Sequence, residues 1–86
     1  MAWVYILRAN NGQYYVGSTI DIEKRLRHHQ HGHTATTKRL GFESLVLKQP
    51  YPTLKDARLV EKKIKKLKRR DYVEKMIKDG YIRIRP

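Results

Sequence analysis

The chain contains no cysteine, which excludes both disulfides and thiolate metal sites. Acidic residues are scarce as well: eight Asp and Glu stand against twenty Lys and Arg, so the net charge is +12. Long hydrophobic runs are also missing, because the apolar run that ends at Leu7 is far short of the roughly 20 residues that span a bilayer. No apolar signal-peptide core follows Met1. We therefore expect a cytoplasmic protein with no membrane partner.

A net charge of +12 points to a polyanionic partner, and nucleic acid is the leading candidate. Seven of the nine residues from Lys62 to Arg70 are Lys or Arg. A charge run is often only a solvated face, but this density on one predicted helix favours a track for a phosphate backbone. Such a track gives affinity without reading base sequence. We predict DNA as the partner, with RNA as the alternative, and contacts from Lys38, Arg39, Lys62, Lys65, Lys66 and Arg69.

Three segments are typical of short strands. Residues 3–8 and 14–18 are rich in β-branched and aromatic side chains, and the Asn-Gly between them is a strong hairpin signal. A third strand is predicted over residues 42–48, with Pro50 and Pro52 ending it. Since 86 residues allow one small core, we expect residues 1–86 to form a single domain.

Three helices are predicted after the hairpin. The first covers about residues 21–31, capped by Ser18, Thr19 or Asp21 and followed by a loop at 32–41. The second follows a capping box at Thr53 and Asp56, with Ile64 and Leu67 among its inward residues, and the third runs from Asp71 to Gly80. Residues 81–85 form an extended tail. The expected fold class is α/β, with a three-stranded antiparallel sheet flanked by helices.

The hairpin loop decides whether Tyr5 and Tyr15 share a face of the sheet. A two-residue turn at Asn11-Gly12 pairs Tyr5 with Ser18 and places the two tyrosines on opposite faces. A three-residue loop that includes Asn10, with Gly12 left-handed, pairs Tyr5 with Gly17 instead. We predict the longer loop, because it alone brings the two phenols together.

Two tyrosines beside many cations are suited to phosphodiester chemistry. Hydrolysis needs an aligned water and groups that take charge from the phosphoryl oxygens. A phenol with its ordinary pKa near 10 is a poor base at neutral pH, so it serves only where nearby cations favour phenolate. The alternative is structural, since strand tyrosines often bury the ring and leave the hydroxyl in water.

Arg25 and His29 stand four residues apart on the first predicted helix, so both side chains can point at one ligand. The planar guanidinium of arginine suits a phosphate better than lysine does. The alternative is a solvated basic face, since Lys24 and Arg27 are close by.

Glu61 is the only acid between Ala57 and Arg70, and helical spacing puts it at the border of the predicted apolar stripe. A half-buried carboxylate in that place could hold a Mg²⁺ that keeps most of its waters. The alternative is an ordinary ion pair with Lys65, one turn further along the helix.

The order of these residues resembles the GIY-YIG nuclease family. Trp3-Val4-Tyr5 stands where that family has Gly-Ile-Tyr, and Tyr15-Val16-Gly17 stands for Tyr-Ile-Gly; the resemblance continues through the Glu61 helix. It implies that Tyr5 is the general base or positions the water, and that Tyr15 supports it. It also implies transition-state stabilisation by Arg25, a supporting or proton-shuttling role for His29, and a metal at Glu61.

The function expected from this resemblance is a Mg²⁺- or Mn²⁺-dependent endonuclease or nickase that acts on DNA. Recognition of DNA structure is favoured over recognition of a long base sequence, because no reading module accompanies the catalytic residues. Two alternatives remain. One is a non-catalytic nucleic-acid-binding module on the same fold, and the other is a subunit of a ribonucleoprotein complex.

Overall fold

The structure, a computed structural model, describes residues 1–9, 12–25 and 43–86, with the backbone alone for Glu43. Several predicted features lie outside the described residues. They are the loop at 32–41, the end of the first helix, and the candidate site residues His29, Lys38 and Arg39.

The described strands form one antiparallel sheet. Strand β1 covers Ala2–Ala9, β2 covers Tyr14–Thr19 and β3 covers Glu43–Tyr51. The order is β2-β1-β3, so β1 is central and both its neighbours are edge strands. The predicted three-stranded antiparallel sheet with helices is confirmed.

The β1–β2 hairpin has the three-residue loop. Tyr5 pairs with Gly17 and Leu7 pairs with Tyr15. Gly12 has φ of 83° and its N–H donates to the Ala9 carbonyl at 2.9 Å, as expected when a turn is followed by a left-handed bulge residue. Tyr5 and Tyr15 therefore point to the same face of the sheet, as predicted.

Strand β3 continues past the end that the sequence predicted. Pro50 lies within it, opposite Trp3, and Tyr51 pairs with Ala2. Proline lacks an N–H, but on an edge strand alternate N–H groups point away from the sheet and take no part in pairing. The prediction that Pro50 ends the strand is wrong for this reason.

Two helices follow β3, and a helical stretch precedes it. Helix α1 covers Leu54–Leu67 and α2 covers Arg70–Asp79. Thr53 caps α1 by accepting the Asp56 N–H at 3.1 Å, and Gly80 ends α2 with φ of 82°. Residues 22–25 are also helical, and the Asp21 side chain caps them. No helix within the described ranges could cross a membrane.

The main core lies between the sheet and the two helices. Its buried side chains include Val4 and Ile6 of β1 with Val60 of α1 and Met76 of α2. Leu67, predicted to point inward, is 39% exposed because α1 ends there and the chain turns at the left-handed Lys68 into α2. We call this side of the sheet the helix face.

The C-terminal residues 81–86 do not form a strand, although Ile82 is buried. The Gln49 side chain of β3 holds Ile82 in place. Gln49 Oε1 accepts the Ile82 N–H at 2.7 Å, and Gln49 Nε2 donates to the Ile82 carbonyl at 3.1 Å. One amide side chain thus makes the two hydrogen bonds that a paired strand residue would make.

Candidate functional site

The second face of the sheet holds the two candidate tyrosines, and we call it the tyrosine face. Tyr5, Leu7 and Ile22 are buried there. Tyr15 is half-buried against them, together with Trp3 and Leu45. Because Ile22 belongs to the helical stretch 22–25, this stretch packs on the tyrosine face.

The Tyr5 ring lies directly over Gly17. A Cβ added at position 17 would overlap the Tyr5 Oη and Cζ atoms. Any larger residue at this position would therefore force the phenol to move. Glycine is needed here for space, and it lets the Tyr5 hydroxyl lie over the edge strand β2. This gives a physical reason for the glycine in Tyr15-Val16-Gly17.

The Tyr15 hydroxyl donates a hydrogen bond to Gln13 Oε1 at 3.1 Å. Gln13 lies just before β2 and was not among the candidate residues in the sequence. The bond fixes the direction of the Tyr15 phenol at the outer end of the tyrosine face.

Arg25 is exposed and lies in the helical stretch beside the tyrosine face. It follows Ile22 by three residues, so on a helix the two side chains lie on neighbouring positions of one side. Arg25 also lines a hollow of about 420 Å³ together with Thr19 and Lys24. The guanidinium is thus available to an anion that approaches this end of β2.

Glu61 is half-buried, and both its oxygens have partners. Its Oε1 accepts a hydrogen bond from Ser18 Oγ at 2.5 Å, and its Oε2 pairs with Lys65 Nζ at 2.7 Å. The sequence offered a half-buried carboxylate and an ion pair with Lys65 as alternatives for Glu61. Both are present in the structure. The sequence suggested Ser18 only as a possible helix cap, a role that Asp21 takes, and not as a partner of Glu61.

The candidate residues lie on two faces of the sheet. Ser18 pairs with Val4, whose side chain is in the core of the helix face, so the Ser18–Glu61 bond lies on that face. Tyr5 and Tyr15 lie on the other. Both sets meet at β2, which is an edge strand of the described sheet. A single site must therefore extend around the β2 edge.

Glu61 offers a carboxylate oxygen, the type of ligand that a hydrated magnesium ion binds. Within the ranges the structure describes, no three His, Cys, Asp or Glu side chains come together as a metal cage. Mg²⁺ commonly uses one or two carboxylates and completes its shell with waters and substrate phosphates. The residues fit this arrangement if Lys65, whose side chain is 58% exposed, turns away from Glu61 Oε2.

A cleft of about 400 Å³ lies between β2 and the junction of α1 and α2. We call it the edge cleft; Tyr15 lines it together with four cations, Lys65, Lys68, Arg69 and Arg70. Lys65 also lines a hollow around Glu61 with Arg58 and Lys62, so the two concavities share a wall. Arg58, Lys68 and Arg70 were not among the predicted contacts.

Ion pairs reduce the positive charge of the edge cleft. Arg70 pairs with Glu74 at 2.9 Å. Arg69 pairs with Asp71 at 2.7 Å, and its guanidinium lowers the pKa of the Asp71 carboxyl through a direct hydrogen bond. Lys65 pairs with Glu61, so Lys68 alone of the lining cations makes no ion pair with any residue that the structure describes. Lys68 is therefore the lining cation best placed to meet a phosphate backbone.

The predicted basic track lines more than one concavity. Successive residues of a helix are rotated by about 100°. Lys62 and Lys65 line the hollow beside Glu61, whereas Lys66, one turn after Lys62, lines a second groove.

Comparison with known proteins confirms the resemblance. A family model described as the GIY-YIG catalytic domain matches residues 1–76. The UPF0213 protein BH0048 of Halalkalibacterium halodurans is 35% identical over 69 residues, which is 79% of this chain and 73% of the relative. The solution NMR structure of the UPF0213 protein BH0048 from Bacillus halodurans matches with a TM-score of 0.59 at 32% identity. That match covers 93% of this chain and 87% of the other.

Proposed function

Because this chain belongs to the GIY-YIG catalytic domain family, we propose that it is a metal-dependent endonuclease or nickase that hydrolyses DNA phosphodiester bonds. One observation carries the proposal. The Ser18–Glu61 hydrogen bond ties the carboxylate of α1 to the strand that carries Tyr15 and Gly17. A Glu61 that served only as a surface ion-pair partner would need no such bond.

Tyr5 has the geometry to position the attacking water. Its ring is only 5% exposed and is held over Gly17, so the hydroxyl has a defined place above β2. As the phenolate, Tyr5 accepts the proton of the water, directly or through solvent, and becomes the neutral phenol, while Tyr15 supports the same water or phosphate. Preorganisation of this kind reduces the entropy cost of aligning the nucleophile.

Arg25 stabilises the charge that develops on the phosphoryl oxygens. Its exposed guanidinium offers two parallel N–H donors, a geometry that fits two phosphate oxygens. His29, one helical turn further along the chain, is proposed to support Arg25 or to carry a proton.

A divalent cation, Mg²⁺ or Mn²⁺, supplies Lewis-acid stabilisation at the scissile phosphate when it is bound. Glu61 is the residue that would hold it. The Ser18 hydroxyl occupies Oε1 and so fixes the orientation of the carboxylate.

The substrate is proposed to be DNA recognised by shape. Lys62, Lys65 and Lys68 line the concavities beside Glu61 and Tyr15, where they can meet backbone phosphates. Phosphate contacts position a protein on nucleic acid without reading base sequence. Branched or nicked DNA exposes backbone in directions that a regular duplex does not, and this suits a site that curves around a strand edge.

One observation favours the alternative, a non-catalytic nucleic-acid-binding module. Lys65 Nζ already pairs with Glu61 Oε2, so an internal cation stands where a metal would bind. An exposed pair of this kind contributes only about 0.3–0.5 kcal/mol, which a metal bound together with substrate phosphates can exceed.

Cleavage assays separate the two functions. Supercoiled, branched and single-stranded DNA are incubated with the protein in Mg²⁺, in Mn²⁺ and in chelator. The nuclease proposal expects nicking or cleavage that chelator abolishes. A protein that binds all three DNAs and cleaves none of them with either metal is the binding module.

A further inference from the structure

A second groove lies on the side of α1 away from Glu61. It has a volume of about 860 Å³ and lies between α1, α2 and residues 83–84. Four cations line it, Lys63, Lys66, Lys75 and Arg83, and none of its lining residues is acidic. We call it the Tyr72 groove, because Tyr72 is the aromatic residue that lines it. It has no part in the proposed cleavage, which takes place at β2.

Two of these cations are available to a ligand. Arg83 pairs with Asp79 at 2.9 Å, and Lys63 donates to the Arg85 carbonyl at 2.8 Å. Lys66 and Lys75 are exposed and make no ion pair with any residue in the described part of the chain. They lie on different helices, so an anion in the groove can meet both.

The floor of the Tyr72 groove is apolar and partly exposed. Leu67 is 39% exposed and Tyr72 is 46% exposed, and the buried Met76 also lines the groove. The Arg69 guanidinium lies 4.8 Å from the centre of the Tyr72 ring, and the bond from Arg69 to Asp71 fixes it there. Arg69 does not line the groove, so it holds the Tyr72 ring in place from outside.

A rim of cations around an aromatic floor distinguishes single strands from duplexes. The bases of a duplex are stacked inside it, so a duplex can use the lysines and gains nothing from Tyr72 or Leu67. A single strand presents both a phosphate backbone and unstacked bases, and bases stack on aromatic side chains. The volume lies within the range of about 300–1,000 Å³ that holds small organic groups, which leaves room for a base.

We propose that the Tyr72 groove binds single-stranded nucleic acid, with a base stacked on Tyr72 and flanking phosphates at Lys66 and Lys75. Binding here needs neither metal nor cleavage. On a branched substrate, the groove holds an unpaired strand while the β2 edge meets the duplex.

The test is fluorescence anisotropy in chelator with a labelled single strand of about 12 nucleotides and a matched duplex. Tyr72→Ala should weaken single-strand binding at least about fivefold and leave duplex binding within about twofold. Tyr72→Phe should bind like the parent, because the ring remains. Tyr81→Ala is the control, since Tyr81 is 48% exposed and lies against Arg83 but does not line the groove.

A second pair of variants tests the phosphate contacts. The salt slope is the slope of log K for binding against log salt concentration. The double variant Lys66→Ala with Lys75→Ala should lower its magnitude for single strands by about 1.4. Lys55→Ala with Lys78→Ala removes the same charge from the same two helices outside the groove, and should lower it less.

Single-strand binding by Tyr72→Ala equal to that of the parent overturns the proposal, as does an equal loss with Tyr81→Ala. A competition with poly-glutamate tests the other occupant. If poly-glutamate displaces the labelled strand as effectively as unlabelled strand does, and binds Tyr72→Ala as well as the parent, the groove is a site for acidic peptides. A protein that cleaves no DNA but binds single strands through Tyr72 supports this proposal and removes only the nuclease.

Discussion

The helix face and the tyrosine face of the sheet differ sharply in how much of the described chain they bury. Eleven buried residues form the cluster on the helix face, whereas three form the cluster on the tyrosine face. The larger cluster includes residues from β1, β3, α1, α2 and the tail. The smaller one contains Tyr5, a candidate catalytic group, at its centre.

This difference indicates that the two faces have different roles. Burial of apolar surface stabilises the fold at about 25 cal/mol per Å², so among the described residues the helix face contributes most of this stabilisation. The tyrosine face holds Tyr5 and Tyr15 in place. Glu61 is the exception, because it belongs to a helix of the stable face and reaches the β2 edge through Ser18.

The largest expected effects come from two consecutive residues that point to opposite faces. Ile6 and Leu7 are 0% and 1% exposed. Ile6→Ala and Leu7→Ala should each lower the free energy of unfolding by about 2–5 kcal/mol, measured by urea denaturation. Leu7→Ala should also lower the cleavage rate per folded molecule, because Leu7 packs against Tyr5.

The milder Ile6→Val serves where Ile6→Ala is too unstable to assay. If Ile6→Val and Leu7→Ala lowered the cleavage rate per folded molecule equally, the division between the two faces would be wrong.

Glu61→Gln should lower metal-dependent cleavage by at least about a hundredfold, because the amide keeps the shape but loses the charge that holds the cation. Stability should change by less than about 1 kcal/mol, since glutamine can still accept the Ser18 hydrogen bond and only the exposed ion pair with Lys65 is lost. DNA binding in chelator should persist or tighten, because a negative charge has been removed. Cleavage at the parental rate would exclude Glu61 as the metal ligand.

Arg25→Lys should retain most DNA binding and lower cleavage by about tenfold or more, because the charge remains and the planar pair of donors does not. Lys24→Ala is the matched control, since Lys24 lines the same hollow and is equally exposed. It should weaken binding slightly without a selective loss of cleavage. Identical behaviour of the two variants would place Arg25 on a solvated basic face.

The smallest effect concerns the two lysines beside Glu61. Lys65→Ala removes the internal cation from Glu61 Oε2, so half-maximal cleavage should need about twofold less Mg²⁺. The same variant should lower the duplex salt slope by about 0.9, because a phosphate contact is lost. Lys62→Ala, in the same hollow, should lower the slope alone. If both variants changed the Mg²⁺ requirement, the cause would be the loss of a nearby positive charge and not the loss of the Lys65–Glu61 pair.

Local patterns in the sequence were enough to predict much of the fold. The Asn10-Asn11-Gly12 loop predicted the register that places Tyr5 opposite Gly17, because loop length and a left-handed glycine determine pairing in a hairpin. The capping box at Thr53 and the inward position of Ile64 predicted α1 and its buried side. The order of the tyrosines, Arg25 and Glu61 was sufficient to identify the family.

Tertiary structure alone decided how these elements meet. The sheet order placed β2 and β3 at the edges, which allowed Pro50 to remain inside a strand. The packing of α1 on the sheet brought Glu61 to Ser18, 43 residues earlier in the chain. It also divided one run of lysines between the Glu61 hollow and the Tyr72 groove. These outcomes depend on contacts between segments far apart in the chain, and local propensity and periodicity carry no information about such contacts.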